Sequence, residues 1–272
     1  MRLRILLPVL LLLSPLTLGA QDFRGLDSLL GRFHEVLALE SVDVKIAEYD
    51  GLIATCADSL TRNHVALQIF DHYREPVIMG DEEVAVHIFD RWFASDSLPM
   101  TGEMEKFEAR MFADFNRSTL LGRQAPTVEL LDPSGRKVEM PRAGSCAILF
   151  FYDTSCAKCR LEVSVLPAIL KEIDYPVNFY AVYCGSDKKS WKRFRRNFKT
   201  ANKNVKLVHL WDPDMDSDYL RLYGVISTPK MYMTEPQGVV IGRRLEPESL
   251  MQLIPTAGAI QAAYGKSAAG QF

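Results

Sequence analysis

Two cysteines three residues apart, Cys156 and Cys159, are the side chains in this sequence best suited to covalent chemistry. The run Ile148-Leu149-Phe150-Phe151-Tyr152 leads into them without alternation, the pattern of a strand buried on both faces. Asp153, Thr154 and Ser155 then offer capping oxygens for a helix that follows. On that geometry Cys156 occupies an exposed N-terminal turn, where unpaired backbone N–H groups and the helix dipole favour thiolate, while Cys159 lies one turn further in and is shielded. A nucleophilic thiol and a resolving thiol are expected, and Lys158 between them is expected to lower the Cys156 pKa further. A lone C-x-x-C is also half of a zinc site, but the chain has no second cysteine pair and no histidine pair at ligand spacing, so no metal is expected.

This constellation resembles the thioredoxin superfamily. Members carry a second mark, a cis-proline facing the dithiol, and Ile226-Ser227-Thr228-Pro229 ahead of the apolar Met231-Tyr232-Met233 matches it in order and context. The segment Gly122-Arg123-Gln124-Ala125-Pro126 is similar to the start of the TlpA-like and peroxiredoxin-like branch. The resemblance covers Gly122 to about Pro255. It implies an α/β thioredoxin-like fold, a central mixed sheet with flanking helices and an N-terminal β-hairpin, here preceded by an all-α domain. It also implies a redox-active Cys156–Cys159 disulfide that needs no cofactor, and Thr228 and Pro229 presenting backbone to an extended substrate chain. Glu162 stands where TlpA-like reductases carry an acidic residue, which implies a carboxylate that tunes Cys159 or accepts its proton; an ordinary exposed helix glutamate is the other reading. Two departures stand out. Tyr152-Asp153-Thr154-Ser155 lacks the tryptophan common in thioredoxins, and Ala157-Lys158 is neither the Gly-Pro of general reductases nor the Pro-His of strong oxidants, which leaves the direction of exchange open.

The elements that must position these residues are legible around them. Val128-Glu129-Leu130-Leu131 and Arg136 to Met140 flank Asp132-Pro133-Ser134-Gly135, a hairpin turn. Val177 to Tyr183, Val205 to Trp211 and Lys230 to Thr234 read as strands, with Val239 to Arg244 completing a second hairpin. Lys188 to Lys203 reads as a basic helix over buried Trp191, Phe194 and Phe198, either a solvated face or a docking patch for an acidic partner. Asp216 to Tyr223 reads as a short helix, and Pro247 starts the last one. Of the remaining cysteines, Cys184 is expected at the dithiol end of the sheet as a free thiol and Cys146 at the opposite end, while Cys56 reads as a buried small hydrophobe, a further disulfide to it staying open.

The expected division is a leader over 1–20, a helical domain over 21–121, a thioredoxin-like domain over 122–265 and a loose tail over 266–272. The leader MRLRILLPVLLLLSPLTLGA has a basic start, an apolar core and a small-residue end, the pattern of a secretory signal cleaved before Gln21. Pro8 and Pro15 interrupt it, and it falls short of the roughly 20 apolar residues of a membrane span. No cysteine follows to accept a lipid. A periplasmic or otherwise exported protein without stable membrane insertion is expected, in a compartment where disulfides persist. In the helical part, Val65 to Tyr73 and Val84 to Trp92 echo each other at an offset of nineteen and read as an antiparallel helix pair; His64, His72 and His87 read as partly exposed surface residues.

A formal charge of −2 over 272 residues argues against a nucleic-acid partner. The expected activity is thiol–disulfide exchange with protein thiols and disulfides, supplied by an upstream membrane or periplasmic redox partner. Two other readings stay open. One is a thiol peroxidase, although the resemblance implies a Pro and a Thr ahead of a peroxidatic cysteine, and Phe150 to Cys156 has no Pro. The other is a binding or scaffold protein with a structural disulfide.

Overall fold

The structure is a computed structural model that describes residues 22–95, 97–100 and 102–269. The leader read over 1–20 lies outside the described residues, as do 270–272. The chain divides into two compact units: one takes the residues up to Glu75 together with Val84–Phe107, the other takes Pro76–Glu83 and everything from Glu108 onward. This differs from a single cut after residue 121, and the reason is visible in the second unit's packing, described below.

The first unit is helical, with α1 (Arg24–Leu37), α2 (Val42–Thr55), α3 (Ser59–Arg74), α4 (Glu82–Ile88), a π-helical turn (Phe89–Phe93) and the start of α5 (Glu103–Arg117). Ser41 Oγ caps α2 by accepting from Val44 N–H, and Asp58 caps α3 by accepting from Thr61 N–H. Phe70 and Phe89, equivalent positions of the nineteen-residue echo, pack with ring centroids 6.5 Å apart. His64 and His87 are partly exposed and His72 exposed, and each has a partner. His64 pairs with Asp27, His87 with Asp50, and the ring of exposed His72 stacks on His34 at 3.9 Å. His34 Nδ1 lies 2.6 Å from Tyr49 Oη, and burial, with His72 adding to it, lowers its pKa to about 4.

The second unit is built on a seven-stranded sheet in the order β2-β1-β5-β4-β3-β6-β7, made of β1 (Val128–Leu131), β2 (Lys137–Met140), β3 (Cys146–Tyr152), β4 (Val177–Tyr183), β5 (Val205–Trp211), β6 (Lys230–Thr234) and β7 (Val240–Gly242). Strands β3, β4 and β5 are parallel; β6 runs antiparallel beside β3 and β7 antiparallel beside β6, and the β1–β2 hairpin joins at β5. Every residue of β3 is buried, so its two sets of side chains belong to two cores. Ile148, Phe150 and Tyr152 meet α6 (Ala157–Lys171), α7 (Lys188–Asn197) and α9 (Pro247–Ala269), while Ala147, Leu149 and Phe151 meet α8 (Tyr219–Leu222) and its flanks. Each such aromatic or aliphatic side chain contributes about 1.5–3 kcal/mol of burial, and this double-sided core holds the loop after β3 in place. At Gly224 (φ +54) a Cβ would collide with the carbonyl oxygen of Phe115, so only glycine permits that approach.

Three expectations are corrected here. Helix α7 ends at Asn197 rather than 203, because Phe198 turns into the core with an extended ψ and the Asn202 side chain donates to the carbonyls of Leu170 and Ile173. Helix α8 is only Tyr219–Leu222, since Asp212 holds Asp216 and Ser217 in a turn ahead of it. Helix α9 runs through Pro255 to Ala269, four residues into the segment read as a loose tail; Ala257 and Gln261 are anchored on the start of β3, and the alanines beyond favour continuation. A buried ion pair lies within the second unit. Arg243 Nε sits 2.7 Å from Glu82 Oε1, each side chain 1% exposed, Arg243 Nη2 donates to Asn116 Oδ1, and Arg243 N–H donates to Met79 Sδ. Residues 76–83 are therefore structural members of the second unit.

Candidate active site

The loop after β3 is a tight turn on Asp153, whose Oδ1 accepts from both the N–H and the hydroxyl of Ser155. Cys156 N–H then donates to the Asp153 carbonyl, and the chain enters α6 with Cys156 itself as the N-cap. The expected capping oxygens are thus used in the turn. Cys156 Sγ takes the cap position instead, accepting from Cys159 N–H at 3.2 Å. A sulfur at that point faces the free N–H groups of the first helical turn, which stabilise a negative charge.

The two thiols differ as their surroundings require. Cys156 is partly exposed; burial works against its ionisation, but hydrogen bonds from the Cys159 thiol and N–H, with smaller help from Thr228 and Lys158 N–H, outweigh it and lower the pKa. Cys159 is 1% exposed, and burial, with Cys156 as hydrogen-bond partner, pushes its thiol up to about 12. Lys158 pairs its ammonium with Glu246 at 2.6 Å in an exposed pair, while its backbone N–H and, more weakly, its charge favour the Cys156 thiolate.

Thr228–Pro229 is a cis peptide that faces the dithiol, with Cys156 Sγ 3.2 Å from the Thr228 carbonyl oxygen. Lys230 follows directly, its ammonium donating to the Gly224 carbonyl; burial lowers its pKa to about 8. Glu162, one turn after Cys159, is 5% exposed and has an Oε2 without a hydrogen-bond partner. Burial raises its pKa to about 7, opposed by Lys158 and assisted by Glu246 and Glu248. A carboxyl that changes protonation near neutrality, on the helix face of the buried thiol, is placed to move a proton.

The structure thus brings Cys156, Cys159, Glu162, Thr228 and Pro229 to one end of the sheet. Cys184 joins them there, its N–H donating to the Tyr152 carbonyl, while Cys146 lies at the other end of β3. All five cysteines are free thiols. Sequence reasoning missed the role of Cys156 as its own cap, because cap preferences name oxygen side chains and not sulfur. It also missed the burial of Glu162, which depends on what packs over α6.

Comparison with known proteins fits this geometry. Residues 121–244 match the AhpC/TSA family. No match was found among curated proteins. Among solved structures, a thioredoxin-like protein from Bacteroides caccae superposes with a TM-score of 0.65 at 13% identity, covering 85% of this chain and 83% of that one. The thioredoxin domain of a thiol-disulfide oxidoreductase from Bacteroides vulgatus aligns at 20% identity and a TM-score of 0.43, over 50% of this chain and 96% of that one. A thiol:disulfide interchange protein from a Bacteroides species aligns at 22% identity and 0.44, over 51% and 90%. The second unit has a thioredoxin-like fold, and the match to the AhpC/TSA family is confined to residues 121–244.

Proposed function

We propose that this thioredoxin-like, AhpC/TSA-type chain is an exported thiol–disulfide oxidoreductase acting on protein thiols and disulfides. The observation that carries the reading is the asymmetry of the dithiol: one accessible sulfur at a helix N-terminus with a lowered pKa, and one buried sulfur with a raised pKa a turn away. In the reducing direction the Cys156 thiolate attacks a substrate disulfide, forming a mixed disulfide and releasing the substrate's other sulfur as a thiolate that takes up a proton. Cys159 then gives its proton to the Glu162 carboxylate and attacks Cys156 Sγ, which closes the Cys156–Cys159 disulfide and frees the second substrate thiol. The reverse sequence oxidises a substrate dithiol. The Thr228 backbone beside Cys156 supports the approach of an extended substrate segment. An upstream redox partner would reset the pair.

Export rests on the leader pattern of residues 1–20, and no helix among the described residues is long and apolar enough to cross a membrane. The AhpC/TSA match also favours a second reading, a thiol peroxidase. Insulin reduction and peroxide consumption by the chain from Gln21 onward separate the two. Insulin reduction that needs both Cys156 and Cys159 is the expected result; peroxide consumption without it would replace this reading with the second.

A further inference from the structure

Helix α7 carries six basic residues between Lys188 and Arg196 and no acidic one, in a chain whose formal charge is −2. Arg195 and Arg196 stand in the last turn, where the dipole favours positive charge, but Lys188 and Lys189 occupy the first turn, where it disfavours it, and Lys188/Lys192, Lys189/Arg193 and Lys192/Arg196 are like-charged neighbours one turn apart. Among the described residues no ion pair joins any of the six, and all but Arg195, whose guanidinium lies over the Trp191 ring, are exposed.

Between α6 and α7 a cleft of about 460 Å³ reaches Cys159, lined by Tyr152, Asp153, Cys159, Arg160, Arg193 and Phe194 among others. Tyr152, one of these, is 1% exposed, and its Oη has no hydrogen-bond partner. Arg160 is tied to the loop by Nη1 donating to the carbonyls of Thr154 and Ser155. One opening therefore combines an apolar floor, a tyrosine with an unpartnered hydroxyl, cations on both rims and a wall that includes the resolving cysteine.

We infer that this cleft and the basic face of α7 dock an acidic polypeptide segment of the substrate protein, holding it beside the dithiol. The inference rests on the redox reading for the identity of the occupant as a substrate. Charge complementarity selects an acidic partner, and the apolar floor selects a polypeptide that offers a side chain along with its carboxylates. Docking of this kind raises the encounter rate and is sensitive to salt.

The test uses the chain from Gln21 onward and two fluorescent, cysteine-free peptides that share a central phenylalanine, one flanked by glutamates and the other by glutamines. Fluorescence anisotropy should give at least roughly tenfold tighter binding of the glutamate peptide at low salt, with the preference lost in about 0.5 M salt. The triple variant K192Q/R193Q/R196Q should abolish the preference, its unfolding curve confirming that it folds, and the single variant R193Q should reduce it. Equal binding of the two peptides, a preference untouched by the triple variant, or binding of phosphatidylglycerol vesicles with neglect of the glutamate peptide would each overturn the proposal, the last in favour of a membrane surface. Reduction of hydroxyethyl disulfide by the wild type separates the two layers. Preferential peptide binding without any disulfide reduction leaves the docking site standing and removes the redox reading, whereas disulfide reduction with no peptide preference does the reverse.

Discussion

Strand β3 has a cysteine at its first residue and another four residues past its last, and the two could hardly be treated more differently. At the start, Cys146 is fully buried, its N–H donates to Gln261 Oε1, and its sulfur points at the carbonyl oxygen of Ala257 on α9. Burial first, with Glu235 adding to it, pushes that thiol up to about 11. Past the far end, Cys156 Sγ accepts from the N–H of Cys159, at the start of α6. Both sulfurs face a carbonyl oxygen, so what separates them is burial at Cys146 and the hydrogen bonds from the Cys159 thiol and N–H at Cys156.

The sharpest way to break the comparison is Cys156→Ser, which should eliminate both insulin reduction and the fast phase of iodoacetamide labelling, whereas Cys146→Ser should leave both in place. Cys159→Ser should instead accumulate mixed disulfides on gels, because attack continues and resolution does not; equal labelling rates for Cys156 and Cys159 would mean that the nucleophile is misassigned. Next in size is Glu162→Gln. The carboxyl is charged only above about 7, so the resolving step should quicken as pH rises through that value. Stopped-flow decay of the mixed disulfide should lose this dependence in the variant and slow by about 10²-fold or more. The same residue gives a linkage signature. Its folded pKa is raised from 4.5, so the folded state holds a proton that the unfolded state has released, and stability falls as pH rises from about 4.5 to about 7. Thermal melts of the wild type should show that fall relative to Glu162→Gln.

At the inert end, Gln261→Ala leaves the Cys146 N–H buried and unpaired, which should cost about 1–3 kcal/mol in urea unfolding with no change in alkylation of Cys156. The smallest effect is expected from Lys158→Gln. Its exposed pair with Glu246 contributes about 0–1 kcal/mol, and because its backbone N–H is retained, the pH midpoint of Cys156 labelling should barely move.

How far these features were legible in the sequence follows from how local their causes are. Val177–Tyr183, Val205–Trp211 and Lys230–Thr234 are strands over the residues expected, because apolar runs bounded by Pro, Asn and Asp leave little else for the chain to do. The dithiol positions and Thr228–Pro229 were readable because their meaning lies in short spacings. The Glu162 environment was not, since a glutamate three residues after Cys159 looks the same whether its face of α6 is covered or wet. Nor was the pairing of Glu82 with Arg243, two charges 161 residues apart whose burial no periodicity announces. The early end of α7 and the late end of α9 were lost for a related reason: Phe198, Asn202 and Gln261 act through partners remote in sequence.

That buried pair also bears on whether the thioredoxin-like unit can be lifted out as a cassette. The region matching the AhpC/TSA family begins at residue 121, an inviting place to cut. A fragment starting there would lack Met79, Glu82 and Asn116, and so would strip Arg243 of its counter-charge and of the hydrogen-bond partners it has in the second unit. The helical stretch has lent part of itself to its neighbour, so a swap of one half for another must carry residues 76–83 along or replace Arg243 with an apolar side chain of similar size.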